Sequence, residues 1–148
     1  MTVVAARILE HIHGHVGWLA TASLLHPALL LGRAKRRAML AACSATALAT
    51  ATGLLGLGLY PEYRVMIKPA LFAEAPGIGW AFERKEHLAI AAIVLAWAGL
   101  GAHWAEPRAN ERTRAALRRT ARVAYAGAAA MALTAATLGV LVAVHHGF

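Results

Sequence analysis

The chain has 148 residues, 59% of them hydrophobic, and a mean hydropathy of +0.55. Soluble domains contain roughly 45–50% apolar residues, so the excess indicates a surface that faces lipid. Fifteen Lys and Arg outnumber seven acidic residues, but no recognition motif accompanies them, which argues against nucleic acid as a partner. The single Cys43 excludes an internal disulfide and a site built from several thiolates.

Four apolar segments follow one another along the chain, each close to the ~20 residues that a helix needs to cross a hydrocarbon core about 30 Å thick. They cover about His15 to Leu31, Met39 to Tyr60, His87 to Ala105, and Val123 to Val144. We therefore expect an all-α, polytopic membrane protein in the form of a four-helix transmembrane bundle. No repeat or low-complexity linker divides it, so residues 1–148 are interpreted as a single domain.

The first segment is unusually rich in histidine. His11, His13 and His15 lie at its start, and His26 lies deeper, directly before Pro27, which should kink the helix. At about 100° per residue, His11 and His15 share one stripe of the helix while His13 points to another side. For His26, a hydrogen bond to the carbonyl freed by Pro27 and a role as ligand or proton relay both stay open.

The charges of the three connections predict the orientation. The first connection, Gly32 to Ala38, holds four basic residues and no acid, and the third, Glu106 to Arg122, holds six arginines against two glutamates. By the positive-inside rule both are cytoplasmic. The middle connection, Pro61 to Glu86, balances its charges and should lie outside with both termini. The predicted topology is N-out/C-out in a bacterial inner membrane.

Two cations in the middle connection, Arg64 and Lys68, lie four residues apart beside Tyr63. At the outer surface, where His15 and His87 would emerge, such cations could hold the propionates of a haem. They could equally extend toward water or pair with Glu62 and Glu86. Both interpretations stay open.

His87 begins the third segment above a stripe of small or slim residues that continues to Ala98. An imidazole above such a smooth face suits an axial ligand of a haem between transmembrane helices. The candidate ligands of one haem b iron are His15 and His87, with His11 beside them and with His26 and His145 as weaker candidates.

The run His-Ile-His-Gly-His-Val-Gly-Trp from His11 to Trp18, with the apolar stretch and basic loop after it, resembles the first helix of the HemJ-type membrane proteins. The resemblance implies a four-helix, haem-binding protein associated with protoporphyrinogen oxidation. That family also has a Lys at the head of a later helix, which Lys68 or Lys85 would match. The segments Tyr-Pro-Glu-Tyr-Arg and Phe-Glu-Arg-Lys-Glu-His resemble a group of uncharacterised bacterial membrane proteins instead.

The leading hypothesis from the sequence is a b-type haem protein acting in electron transfer or porphyrin chemistry. It could serve as a small subunit of a respiratory assembly, with other membrane subunits or a redox partner. The alternatives are a HemJ-like protoporphyrinogen oxidase, a periplasm-facing protein that handles Zn or Cu through imidazole and carboxylate ligands, and a structural subunit without cofactor. Whether the chain is an enzyme stays open.

Overall fold

A computed structural model describes residues 2–30 and 35–145, and every regular element in these residues is helical. The prediction of an all-α protein is therefore confirmed for the described part of the chain. The elements are α1 (Val3–Leu30), α2 (Lys35–Met66), α3 (Lys68–Glu74), α4 (Pro76–Ala105), a 3₁₀ turn (Glu106–Arg108) and α5 (Glu111–His145).

Three of the helices, α2, α4 and α5, are long and apolar enough to cross a membrane, which agrees with a membrane protein. The first helix has 28 residues, which is long enough, but it carries Arg7, Glu10 and four histidines. These polar residues lower its hydropathy, so α1 is not among the candidate spans of the described chain. The fourth crossing and the orientation stay predictions.

The four long helices contact one another in a ring: α1 packs on α2 and α5, and α4 packs on the same two neighbours. This order places α1 diagonally opposite α4. The core between them consists mostly of alanine, with Leu24 and Tyr125 as its largest members. Small side chains let helix backbones approach closely, which is how helices associate where lipid removes the hydrophobic drive.

The segment 61–86, predicted as an outer connection, is helical almost throughout. The second helix continues through Pro61 to Met66, α3 follows after Ile67, and α4 begins at Pro76, where proline suits the first turn of a helix. The helices thus extend beyond the apolar segments seen in the sequence.

A second apolar core explains this extension. Tyr63, Ile67, Leu71, Phe82 and Val142 bury one another there, and the rings of Tyr63 and Phe82 stack with centroids 3.7 Å apart. Continuing the helices buries these side chains, which stabilises the extra turns. We call this end of the bundle the α3 end, and the opposite end, where the 3₁₀ turn joins α4 to α5, the Glu106 end.

Candidate functional site

The two histidines predicted to bind iron, His15 and His87, lie on exposed sides of their helices. The Nδ1 atom of His15 donates a hydrogen bond to the His11 carbonyl at 2.7 Å, and Nδ1 of His87 donates to the Glu83 carbonyl at 2.7 Å. Each bond fixes its ring and leaves Nε2 free for a metal or a proton. No contact joins the two rings within the described chain, and shared binding of one iron stays a prediction.

The weaker ligand candidates are exposed as well. His11 and His26 are exposed on α1, and His145 donates a hydrogen bond from Nδ1 to the Leu141 carbonyl at 2.9 Å on its own helix. Within residues 2–30 and 35–145, no three His, Cys, Asp or Glu side chains come together to hold a metal ion. The structure therefore offers no multi-ligand site for Zn or Cu in that part of the chain.

The cations predicted to hold propionates have other neighbours. The Arg64 guanidinium lies 5.9 Å from the centroid of the Tyr60 ring. Lys68 forms an ion pair with Glu83 across the α3–α4 turn, and this hydrogen bond raises the pKa of the Lys68 ammonium above its ordinary value. Tyr63 is buried, and its hydroxyl has no hydrogen-bond partner among the described residues. The partner of Lys68 is thus Glu83, and not Glu62 or Glu86 as the simpler interpretation predicted.

The interior of the α3 end contains a histidine that the sequence interpretation set aside. His13 faces α2, and its Nδ1 atom donates a hydrogen bond to the Thr52 carbonyl at 3.1 Å. Gly56 makes room for the ring, because a Cβ atom at that position would lie only 3.0 Å from His13 Cε1. A carbonyl oxygen can only accept, so Nδ1 carries the proton and Nε2 of the neutral ring is a bare lone pair.

A lysine from α4 enters the same end of the bundle. A Cβ atom at Gly139 of α5 would lie 3.5 Å from Lys85 Cδ and 3.9 Å from its Nζ, so the side chain runs along a glycine surface. Its Nζ lies 4.6 Å from the centroid of the Phe82 ring, a cation–π arrangement. Among the described residues the ammonium forms no ion pair.

His13 on α1 and Lys85 on α4 lie at the same end of the bundle, together with the carboxylates of Glu10 and Glu86. We call this group the His13–Lys85 site. It combines a proton donor, the ammonium, with a proton acceptor, the imidazole Nε2, at the α3 end. Ionisable groups in such positions typically belong to ion pathways or proton relays.

The small-residue positions that could admit a flat ligand between helices are filled by neighbouring side chains. A Cβ atom at Gly53 would meet Ile93 Cδ1 at 2.6 Å, and one at Gly99 would meet the Tyr125 ring at 2.9 Å. The stripe below His87 is exposed at Val94 and Ala98. A haem bound to His87 along that stripe would therefore lie on the outer surface of α4.

Comparison of the chain with protein-family models, with curated proteins and with solved structures gives no match. Its function is therefore inferred from the chemistry of its own residues.

Proposed function

We propose that this chain is a four-span protein of the bacterial inner membrane that transfers protons through the His13–Lys85 site. The observation that carries the proposal is the Lys85 ammonium, which is half-buried against Phe82 and Gly139 with no ion pair among the described residues. The His13 imidazole, with its free lone pair, lies at the same end of the bundle. Removing an ammonium from water without a paired anion costs several kcal/mol, and intramembrane ionisable groups are functional candidates for that reason.

The first helix supplies the fourth span in this proposal. At ~1.5 Å per residue it is about 42 Å long, more than a bilayer core requires. Its buried side includes Ala20 and Leu24, while Ile12, Leu19 and Leu29 are exposed, as suits contact with lipid. The basic first and third connections put the α3 end outside. A reporter fused after Phe148 is expected to be active outside, and activity confined to the cytoplasm would contradict this orientation.

A pair of hydroxyl groups lies deeper in the bundle, between the His13–Lys85 site and the Glu106 end. The Tyr125 hydroxyl donates to the Ala42 carbonyl at 3.1 Å and lies 2.9 Å from the Thr46 hydroxyl. Tyr125 is fully buried, so this pair belongs to the interior. Hydroxyls both donate and accept, so this buried pair can exchange a proton.

Proton flux into liposomes that contain the purified protein and a pH dye tests the proposal. Under a potassium diffusion potential, the wild-type protein is expected to pass protons faster than protein-free vesicles. Lys85→Met removes the donor and should lower the flux about 100-fold, the lower range of what a positioned acid or base contributes. Lys68→Met, a matched loss of a cation in the half-exposed Lys68–Glu83 pair, should leave the flux unchanged. Wild-type flux equal to that of empty vesicles, or equal flux in Lys85→Met and wild type, would contradict the proposal.

A second candidate function retains haem, with electron transfer or HemJ-like porphyrin chemistry as its use. The observation in its favour is that His15 and His87 each tie Nδ1 to a backbone carbonyl and leave Nε2 outward. A bound haem would supply a one-electron acceptor at the outer surface of the helices. Protein purified after haem supply would then show a Soret band that His87→Ala weakens and that the matched variant His145→Ala leaves intact. A colourless wild-type protein would rule this candidate out.

A further inference from the structure

Two ionisable groups are buried at the Glu106 end, far from the His13–Lys85 site. His103 lies in the last turn of α4 and is 5% exposed, and Glu106 of the 3₁₀ turn is 4% exposed. The Nδ1 atom of His103 lies 3.2 Å from Glu106 Oε2. Glu106 Oε1 accepts a hydrogen bond from Nε of Arg118 at 2.9 Å and a second one from the same guanidinium. One carboxylate therefore joins α4 to α5.

This arrangement fixes the protonation of the imidazole. A carboxylate that accepts hydrogen bonds from two nitrogens of a guanidinium is ionised, and an ionised carboxylate only accepts. Nδ1 of His103 therefore carries the proton. The Nε2 atom of the neutral ring is then a lone pair, and it is buried with no hydrogen-bond partner among the described residues. A carboxylate behind an imidazole raises the basicity of the opposite nitrogen.

We infer that His103 is a second proton-accepting group of this chain, at the opposite end of the bundle from the His13–Lys85 site. His103 lies about 27 Å from Lys85 along the axis of α4, at ~1.5 Å per residue. A hydronium ion transfers its proton to the Nε2 lone pair: its O–H bond breaks, the N–H bond forms, and water is released. Glu106 offsets the charge of the resulting imidazolium, and no electron moves. Glu106 and Arg118 are positioning residues that act through the His103 ring.

The charged groups around His103 determine how strongly it holds this proton. Glu106 favours the imidazolium, whereas Arg118 of α5, which is bonded to the same carboxylate, disfavours it. Arg114 of α5 donates its hydrogen bond to the Ala109 carbonyl at 3.1 Å instead. On α2, the described Arg37 is exposed, and the last turn of α1 carries no basic residue. Among the described residues, the charged groups shown to belong to this network are the Glu106 carboxylate and the Arg118 guanidinium, which can be changed one at a time.

Nitrogen-15 NMR of the full protein in lipid bilayers, with labelled histidine, tests the inference. The His103 signals are assigned by their loss in His103→Gln. In the resting protein we expect a protonated Nδ1 and a bare Nε2, and acidification should add the second proton at Nε2. Glu106→Gln should lower the proton affinity of His103 about tenfold. Arg118→Gln should raise it, and the exposed His145 should respond to neither change.

A proton found on Nε2 at high pH, an Nε2 that stays bare throughout acidification, or a proton affinity unaffected by both Glu106→Gln and Arg118→Gln would overturn the inference. Arg118→Gln keeps the carboxylate in place, so it supplies the answer if Glu106→Gln does not fold. The role of His103 as the other end of a proton path rests on the proposed function. If wild-type liposomes pass no protons while His103 titrates as described, the proposed function fails and the proton-accepting His103 stands.

Discussion

The two ends of the helix ring bury ionisable groups in different ways. At the Glu106 end, His103 and Arg118 are bonded to one carboxylate that lies three and twelve residues away in the sequence. At the α3 end, His13 and Lys85 come from diagonally opposite helices and are held by a backbone carbonyl, an aromatic ring and glycine surfaces. Bonds to a carboxylate fix a charge in place, whereas packing against glycines leaves Lys85 Nζ and His13 Nε2 available to react.

The largest expected effect is a loss of stability when a buried glutamate at the Glu106 end is replaced. The same replacement at the α3 end is the control. Glu106→Gln weakens the acceptor of a buried network and should lower the free energy of unfolding by about 1–3 kcal/mol. Glu83→Gln at the α3 end weakens the half-exposed pair with Lys68 and should cost less, about 1 kcal/mol at most, because solvent partly screens this pair. Thermal unfolding of both variants in the same detergent measures the difference. Equal losses of unfolding free energy in the two variants would contradict the proposed difference between the two ends.

The alanine-rich core between the two ends should respond to a single methyl group. A Cβ atom at Gly99 would lie 2.9 Å from the Tyr125 ring, so Gly99→Ala forces that ring to move and should cost about 1–3 kcal/mol. Gly101→Ala is the matched control, because a Cβ atom there meets nothing within 4 Å. The control should be neutral or slightly stabilising, since alanine favours helix more than glycine does. A Gly99→Ala protein as stable as the control would show that Tyr125 is not held against α4.

The smallest expected change concerns the contact between His13 and α2. A Cβ atom at Gly56 would lie 3.0 Å from the imidazole, so Gly56→Ala should displace the ring at a cost of about 1 kcal/mol. Gly58→Ala, where nothing lies within 4 Å, is the control. Proton flux should fall in Gly56→Ala and persist in Gly58→Ala. If flux is equal in the two variants, His13 does not act from this position.

Much of the fold could be predicted from hydropathy and charge, because both are local properties of the sequence. The helical class and the apolar parts of α2, α4 and α5 agree with the structure. The helical extension through residues 61–66 and 76–86 was missed, because the contacts that stabilise it, such as Tyr63 on Phe82, join residues distant in sequence. Apolar segments mark the part of a helix in lipid and say little about where the helix ends.

Prediction of the candidate site from the sequence was limited in the same way, because its contacts join different helices. Helical phase correctly separated His13 from His11 and His15, but phase alone does not say which side of a helix faces its neighbours. The structure turns His13 inward and leaves the other two exposed. Gly56 was a usable signal, because a bulky imidazole needs a small residue opposite it. The link from His103 to Glu106, three residues along the chain, was within reach of sequence reasoning, whereas the approach of Lys85 to Gly139 was not.

The most direct test of the account is the position of the Lys85 ammonium in a lipid bilayer. Solid-state NMR of protein labelled with ¹⁵Nζ-lysine and ¹³Cα-glycine measures magnetisation transfer between these atoms. The account predicts a strong lysine-to-glycine correlation that disappears in Lys85→Met and in Gly139→Ala, because Nζ lies within 3.9 Å of where a Gly139 Cβ atom would be. A Lys85 Nζ signal with no glycine correlation, in exchange with bulk water, would place the ammonium outside the bundle and contradict the His13–Lys85 site.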